Sequence, residues 1–348
     1  MISTGLALAR AARRYAVVFV HTFNPLEDHR WTTFVEAHRQ SSVFHTSSYL
    51  DALRRTYGYQ PIVYTTSLPG EPLANGIVLC RVSSWLTGSR LVSVPFADHC
   101  EPLVASARDR AAIGVAIQKT VRDGKLKYAQ IRAIHPDLAQ AAGSGDPRTF
   151  AFHTLDLTPP IDRLYGALHR TAIRQPVRRA EREGVRYESG RSEALIRQFY
   201  SLLVAMRRRH GLPPQPVPWF DNLAGCFGDR LTIHVASRRG EPLAAILTLR
   251  HKHVLVCKYG ASDERFHRFG AMPFLLWKAI LDAKDRGLSL FDLGRTDADT
   301  SGLATIKERL GATLSTLTYV RWADASRRIS RQEHHAPRFP PPIQLCLQ

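Results

Sequence analysis

The stretch from Lys258 to Gly311 constrains this chain more than any other. A strand-like run ends in Lys258-Tyr259-Gly260, and a polar loop holding Arg265, His267, Arg268 and Gly270 follows. Next come an apolar helical pattern through Trp277, a second strand closing on Phe291-Asp292-Leu293-Gly294-Arg295-Thr296, and a Gly302-Leu303-x-x-x-Lys307 run. Strand, anion-friendly loop, helix and strand in that order suit a fold that docks a phosphate-bearing donor. A helix N-terminus entered through glycine offers free backbone N–H groups for that purpose. The expected class is α/β (α+β).

With 348 residues the chain exceeds one ordinary domain, and two are expected. Residues 1–14 read as a variable extension and 15–140 as a first domain. Residues 141–150 read as a linker centred on Ala141–Arg148, 151–323 as a second domain, and 324–348 as a disordered basic tail with Pro340-Pro341-Pro342. In the first domain, strands are expected at Tyr15–His21, Pro61–Thr65, Leu73–Val82, Leu91–Val94 and Lys127–Ala133. Helices are expected at Asp28–His38, Thr46–Tyr57 (stopped by Gly58) and Arg108–Asp123. The second domain opens with a strand at Ala151–Leu157 and a basic, mostly helical run Ile161–Glu183 that Pro176 interrupts. A helix over Ser192–His210 ends at a Pro-rich stretch. Strands at Leu231–Ala236, Leu243–Leu249 and His253–Tyr259, a helix at Met272–Lys284 and a strand at Leu288–Leu293 complete it. Gly-Glu-Pro-Leu-Ala occurs at 70–74 and again at 240–244, at matching places in the two element orders, which supports internal duplication.

Composition narrows the function classes. The formal net charge is +18, and the isoelectric point is about 10.2. This fits either an arginine-rich solvated surface or attraction to a polyanion or an anionic membrane face. Two clusters stand out, Arg170 to Arg186 and Arg207-Arg208-Arg209-His210. Cys80, Cys100, Cys226, Cys257 and Cys346 lack CxxC spacing, which argues against a disulfide framework or a zinc site. No apolar run reaches the ~18 residues of a membrane span. The opening residues lack the charge-then-apolar order of a secretory signal, so the cytoplasm is the expected location. Hydrolase elbows, HExxH and Walker loops are absent from the sequence.

The order of these marks resembles the FemAB family of aminoacyltransferases and the related GNAT-type acyltransferases with tandem domains. The resemblance runs from about Trp31 to Trp322. It rests on His45-x4-Leu50-x2-Leu53-x3-Tyr57-Gly58, the Ser93-Val94-Pro95-Phe96-Ala97-Asp98 corner, Arg174-x3-Arg178-Arg179-Ala180-Glu181, Phe199-Tyr200-x2-Leu203, Arg208-x-His210-Gly211-Leu212-Pro213, Phe291-Asp292-Leu293-Gly294-Arg295 and Gly302-Leu303-x3-Lys307-x3-Gly311. It implies two GNAT-like domains packed together. It also implies transfer of an acyl or aminoacyl group to an amine of an anionic cell-envelope, peptidoglycan or polysaccharide precursor. The implied donor is acyl-CoA or aminoacyl-tRNA, with no tightly bound cofactor and with peripheral contact at the inner membrane surface. A non-catalytic duplicate that binds a polyanion or tRNA is the competing reading. The chain departs from the pattern at Pro176. It also keeps only His267-Arg268-Phe269-Gly270-Ala271-Met272 of the pyrophosphate loop and shows no long helical arm for tRNA.

Acyl transfer to an amine needs a neutral amine, a polarised carbonyl and a held carrier. Gly270 and Ala271 can offer N–H groups to a phosphate, with Arg265, Arg268 and Arg295 adding charge; an ordinary exposed loop is the alternative. Asp292, at a strand end, either takes a proton from an ammonium, caps the next turn or pairs with Arg295. Lys307 either holds a phosphate or carbonyl or stands in solvent, and Tyr259 either donates to the leaving group or packs. Arg170, Arg174 and Arg178 recur every four residues, a row for a diphosphate or tRNA backbone or simply a solvated face. Lys258 and the titratable His210 complete the candidates on the acceptor side.

Overall fold

Local signals become elements in the computed structural model, which describes residues 18–84, 88–134, 146–296 and 301–323. The first half runs β1 (His21–Phe23), α1 (His29–Ala37), α2 (Ser47–Tyr57), β2 (Gln60–Thr65), β3 (Ile77–Val82), β4 (Arg90–Val92), α3 (Ala107–Asp123) and β5 (Tyr128–Ala133). The second half runs β6 (Asp146–Asp156), α4 (Ile161–Ala167), α5 (Gln175–Arg182), β7 (Arg186–Gly190), α6 (Glu193–Arg209), α7 (Val217–Phe227), β8 (Leu231–Arg238) and β9 (Glu241–His251). It closes with β10 (Val254–Ser262), α8 (Ala271–Asp285), β11 (Leu290–Thr296), α9 (Ser301–Arg309) and β12 (Thr313–Ala323).

Side-chain caps set the helix limits. The Thr46 hydroxyl accepts from the Tyr49 N–H, and Gly58 ends α2 at φ +67°. Ser192 caps α6, whose Leu195, Phe199, Leu202, Leu203 and Met206 turn inward. Pro176 does not break a helix. The chain makes a single π-turn at Arg170–Arg174, and α5 then begins, with Pro176 in its first turn where a missing N–H has no partner to lose.

The strands join into one sheet in the order β1-β2-β3-β4-β5-β12-β6-β11-β10-β9-β8-β7. Two pairs, β4 with β5 and β10 with β11, are parallel; the other pairs are antiparallel. Each half repeats one path: an antiparallel hairpin turning at Gly-Glu-Pro (β2–β3, β8–β9), a third strand, a crossover helix and a parallel fourth strand. The tandem GNAT-like build expected from the sequence is therefore present. The strand β12 sits between the halves, pairing Thr318–Ala323 with β5 and Thr313–Arg321 with β6.

Some boundaries differ from expectation; the strand expected at Leu73–Val82, for instance, begins at Ile77. The strand β6 starts at Asp146, inside the expected 141–150 linker, because β12 supplies a ladder partner there; residues 141–145 lie outside the described residues. The strand β1 spans His21–Phe23; of the expected Tyr15–His21 run, residues 15–17 lie outside the described residues. The expected extension 1–14 and tail 324–348 also fall outside the described residues.

One core crosses the halves. Trp31, Tyr49 and Leu53 of the first half pack in the same cluster as Phe199, Trp219, Leu247 and Tyr259 of the second. Each such buried side chain contributes about 1.5–3 kcal/mol of apolar burial, so neither half closes its core alone. The opposite face of the second half's sheet carries α4, α5 and α8 over Leu155, Ile246 and Cys257. Among the described residues no helix is long and apolar enough to cross a membrane.

Candidate active site

The parallel strands β10 and β11 stay in register only from Val254–Leu290 to Val256–Asp292, although both continue beyond. Each is then irregular: β10 shifts register against β9 between Cys257 and Tyr259, and β11 shifts against β6 between Asp292 and Gly294. Gly294 takes φ +73°, a conformation suited to a residue without Cβ. The strands thus fork, and the first half's Val94–Glu101 corner enters the fork.

Polar groups from six strands or turns meet there. His99 Nε2 lies 2.8 Å from Asp292 Oδ2, and Asp292 Oδ1 accepts the Gly294 N–H at 2.7 Å. Lys258 Nζ donates to the Phe96 carbonyl at 2.6 Å, and the Tyr319 hydroxyl donates to the Asp98 carbonyl at 2.5 Å. Arg132 donates to the Ala97 carbonyl. His45 Nε2 donates to the Glu101 carbonyl at 2.8 Å, and burial pulls that imidazole down to about 3. Burial also works against a charge on His99. The hydrogen-bonded Asp292, with Asp98 and Glu101 nearby, outweighs it and holds His99 above the usual range. Burial raises the Asp98 carboxyl, against the pull of Lys258 and with the push of Asp292.

Several expected roles change. Asp292 is 3% exposed and pairs with His99. Arg295 is buried, its guanidinium 4.3 Å from the Phe150 ring centroid and 5.3 Å from that of Tyr319. Lys307 is 0% exposed and donates to the carbonyls of Gly294 and Arg295 and to Thr296 Oγ1, at 3.0, 3.2 and 2.9 Å. Three acceptors match the three donors of an ammonium, so Lys307 ties down the end of β11 instead of holding a phosphate. Tyr259 is buried among Phe199, Phe220 and Trp219, its hydroxyl oxygen accepting the Trp219 indole N–H at 2.9 Å, so the packed alternative describes it. Lys258 is buried at the fork rather than on an acceptor surface.

The donor loop is tighter than a phosphate cradle. Gly270 takes φ +70°, and a Cβ there would stand 2.5 Å from the Pro176 carbonyl oxygen, so α5 closes on the start of α8. Ala271 and Met272 are buried, and Pro273 has no N–H to offer. Arg265 pairs with Asp263 at 2.6 Å, while Arg268 stands exposed and lends its carbonyl to Arg179. The row Arg170, Arg174, Arg178 is broken by the π-turn, so the three do not share one α-helical face. His210 is exposed at the end of α6.

The sequence reading missed two groups. His99, a lone histidine beside the quoted corner, carried no motif of its own. Arg207 was noted only within a basic run. The spacing Phe199, Leu203, Arg207 extends the inner stripe of α6 by one more turn, and that was the available signal. Arg207 is 0% exposed, bonds the Gln215 amide oxygen at 2.9 Å and has no partner for Nε or Nη1; the Tyr57 hydroxyl close by is likewise buried and unpartnered. Burial pulls Arg207 down to about 10, partly offset by Tyr259 and Tyr57. Tyr57 packs at a tilt against Phe96 and Trp219 with ring centroids 5.1 and 5.6 Å away, linking this guanidinium to the fork corner.

Residues 167–300 match the family model described as an acetyltransferase (GNAT) domain. The solved structure of FemX aligns over 87% of this chain and 97% of its own, with a TM-score of 0.64 at 13% identity. Residues 167–300 are thus similar to a GNAT domain, and the chain as a whole shares the fold of FemX. A curated relative is the UDP-N-acetylmuramoylpentapeptide-lysine N(6)-alanyltransferase of Weissella viridescens, 25% identical over 150 residues. That match covers 42% of this chain and 44% of the relative, less than half the relative's length. The fold is also shared with the C-terminal domain of a putative lysylphosphatidylglycerol synthetase from Agrobacterium fabrum: TM-score 0.58, 15% identity, 87% of this chain and 93% of that one.

Proposed function

We propose that this protein transfers an acyl or aminoacyl group from a carrier to an amine on an anionic cell-envelope or polysaccharide precursor. The observation that carries the reading is the fork between β10 and β11, lined by a buried histidine–carboxylate pair at the place where the ladder ends. A carbonyl seated there meets oriented dipoles and a titratable group away from bulk water. The buried Arg207 with its unpartnered nitrogens supports an anionic acceptor, because an uncompensated interior guanidinium is costly until an anion joins it. The curated relative acts, by its name, on a lysine of a nucleotide-linked muramoyl pentapeptide.

The closed start of α8 favours a tRNA-borne ester over a CoA thioester. A pyrophosphate needs several converging N–H groups, and Pro176 and Pro273 leave few. Exposed arginines on α5 and the turn before α8 suit a nucleic-acid backbone instead.

The test offers purified protein labelled alanyl-tRNA or labelled acetyl-CoA, with UDP-N-acetylmuramoyl pentapeptide ending a lysine branch as acceptor. Label should pass from the tRNA to the acceptor, and Arg207→Met should weaken acceptor binding by about ten-fold or more, as expected when a charge-assisted contact is lost. Transfer from acetyl-CoA alone would overturn the donor assignment. No transfer from either donor would overturn the reading.

A further inference from the structure

We infer that His99 is the general base of this transfer, with Nδ1 as the proton-accepting atom and Asp292 as the positioning residue behind it. The inference rests on the acyl-transfer reading above and deepens it at the same site.

The geometry of the pair fixes which nitrogen is available. Asp292 is itself held, one oxygen on the Gly294 N–H at 2.7 Å and the other on His99 Nε2 at 2.8 Å. In the neutral ring, Nε2–H donates to that carboxylate and the lone pair sits on Nδ1. Nδ1 is buried and has no hydrogen-bond partner. The ring cannot swing to find one, because Phe44 and Phe152 clamp it at centroid distances of 5.3 and 5.2 Å, near edge-on at 87° and 70°. The other candidates at the fork suit a base less: Lys307 is held by three acceptors, and the Tyr259 oxygen already accepts the Trp219 N–H.

Charged and titratable groups reach this spot from every element packed on it. Asp98 and Glu101 flank His99 in its own segment, and Asp292 and Arg295 come from β11. Lys258 comes from β10, Arg132 from β5, Tyr319 from β12, and His45 from the turn before α2. The carboxylates next to His99 strengthen it as a base, since each favours the proton once taken.

The step balances without another reactant. The acceptor ammonium gives one proton to Nδ1, and the neutral amine attacks the carbonyl carbon, forming the C–N bond. The ester C–O bond to the carrier breaks (C–S for a thioester), and the second proton of the attacking nitrogen leaves with that oxygen or sulfur. The imidazolium then returns its proton to solvent, for one proton released per turnover.

The test compares His99→Gln with the unaltered protein, using the lysine-bearing nucleotide pentapeptide and then hydroxylamine, which is already neutral near pH 7, with alanyl-tRNA as donor. Loss of a general base is expected to lower kcat by about 10²–10⁴-fold for the ammonium acceptor, and by roughly ten-fold or less for hydroxylamine, which has no proton to give up first. Equal loss with both nucleophiles, or no loss with either, would overturn the assignment. A second arm covers the case in which His99→Gln does not fold. Asp292→Asn should move the acid limb of the unaltered protein's kcat/KM profile to lower pH, and an unmoved limb counts against the pair. Absence of transfer by the unaltered protein defeats the transferase reading itself; normal transfer with an indifferent His99→Gln defeats this inference alone.

Discussion

Individual buried histidines make this protein sensitive to acid in a predictable direction. Burial lowers His45 to about 3 and His234 and His251 to about 4, against an ordinary value of 6.5. For a group depressed on folding, the unfolded chain takes the proton first, so the stability present above about pH 6.5 is lost as pH falls toward the folded values. His99 has the opposite sign: its contribution is fully present below 6.5 and lost as pH rises through its raised folded value. Below pH 6 three histidines therefore act together while His99 is already protonated in both states. Stability should fall by roughly 1.4 kcal/mol per pH unit for each of the three, about 4 in all between pH 6 and 5. Urea titrations at those two pH values check it, and a flat midpoint would show that the three rings are not buried as described. At this scale the sequence singled out Asp292 and Lys307 and offered Asp292 a cap on the next turn, which the Gly294 N–H supplies, but it held no sign of His99 beside that carboxylate. The partner of Asp292 lies in a different half of the chain, and no local pattern encodes a contact across that separation.

Elements were legible wherever their cause was local. The cap at Thr46, the stop at Gly58 and the inward stripe of α6 stand in the sequence, and the helices begin and end there. What escaped was any boundary set by a distant partner. The strand β6 begins at Asp146 because β12 lies beside it, and α5 carries its proline in the first turn because the preceding π-turn absorbs the change of direction. The meeting of α5 and α8 gives a direct test. Gly270→Ala adds a Cβ 2.5 Å from the Pro176 carbonyl at a backbone with φ +70°. The left-handed conformation and the overlap together should cost roughly 2–4 kcal/mol, read as a lower urea midpoint. A change under about 0.5 kcal/mol, the range of an ordinary surface substitution, would mean the two helices do not touch.

The whole molecule depends on strand order more than on either half. The strand β12 completes the ladder of β5 on one side and of β6 on the other, and its Val320 and Trp322 fill the core under α3. A chain truncated after Arg309 should therefore lose cooperative unfolding in the first half as well as the second, although the first half keeps every residue of its own. Hydrogen exchange at Ala129 and Ile131 reads this, and protection there equal to the full chain would refute it. Tandem architecture was visible in the sequence as a five-residue echo. The stitching of the two copies was not, because sheet neighbours this far apart leave no periodic trace. The same topology has a consequence for biosynthesis. As the polypeptide emerges from the ribosome, β5 waits with an open edge while the whole second copy is made. That edge stays unpaired until translation reaches β12, so completion of both copies is timed to that late moment.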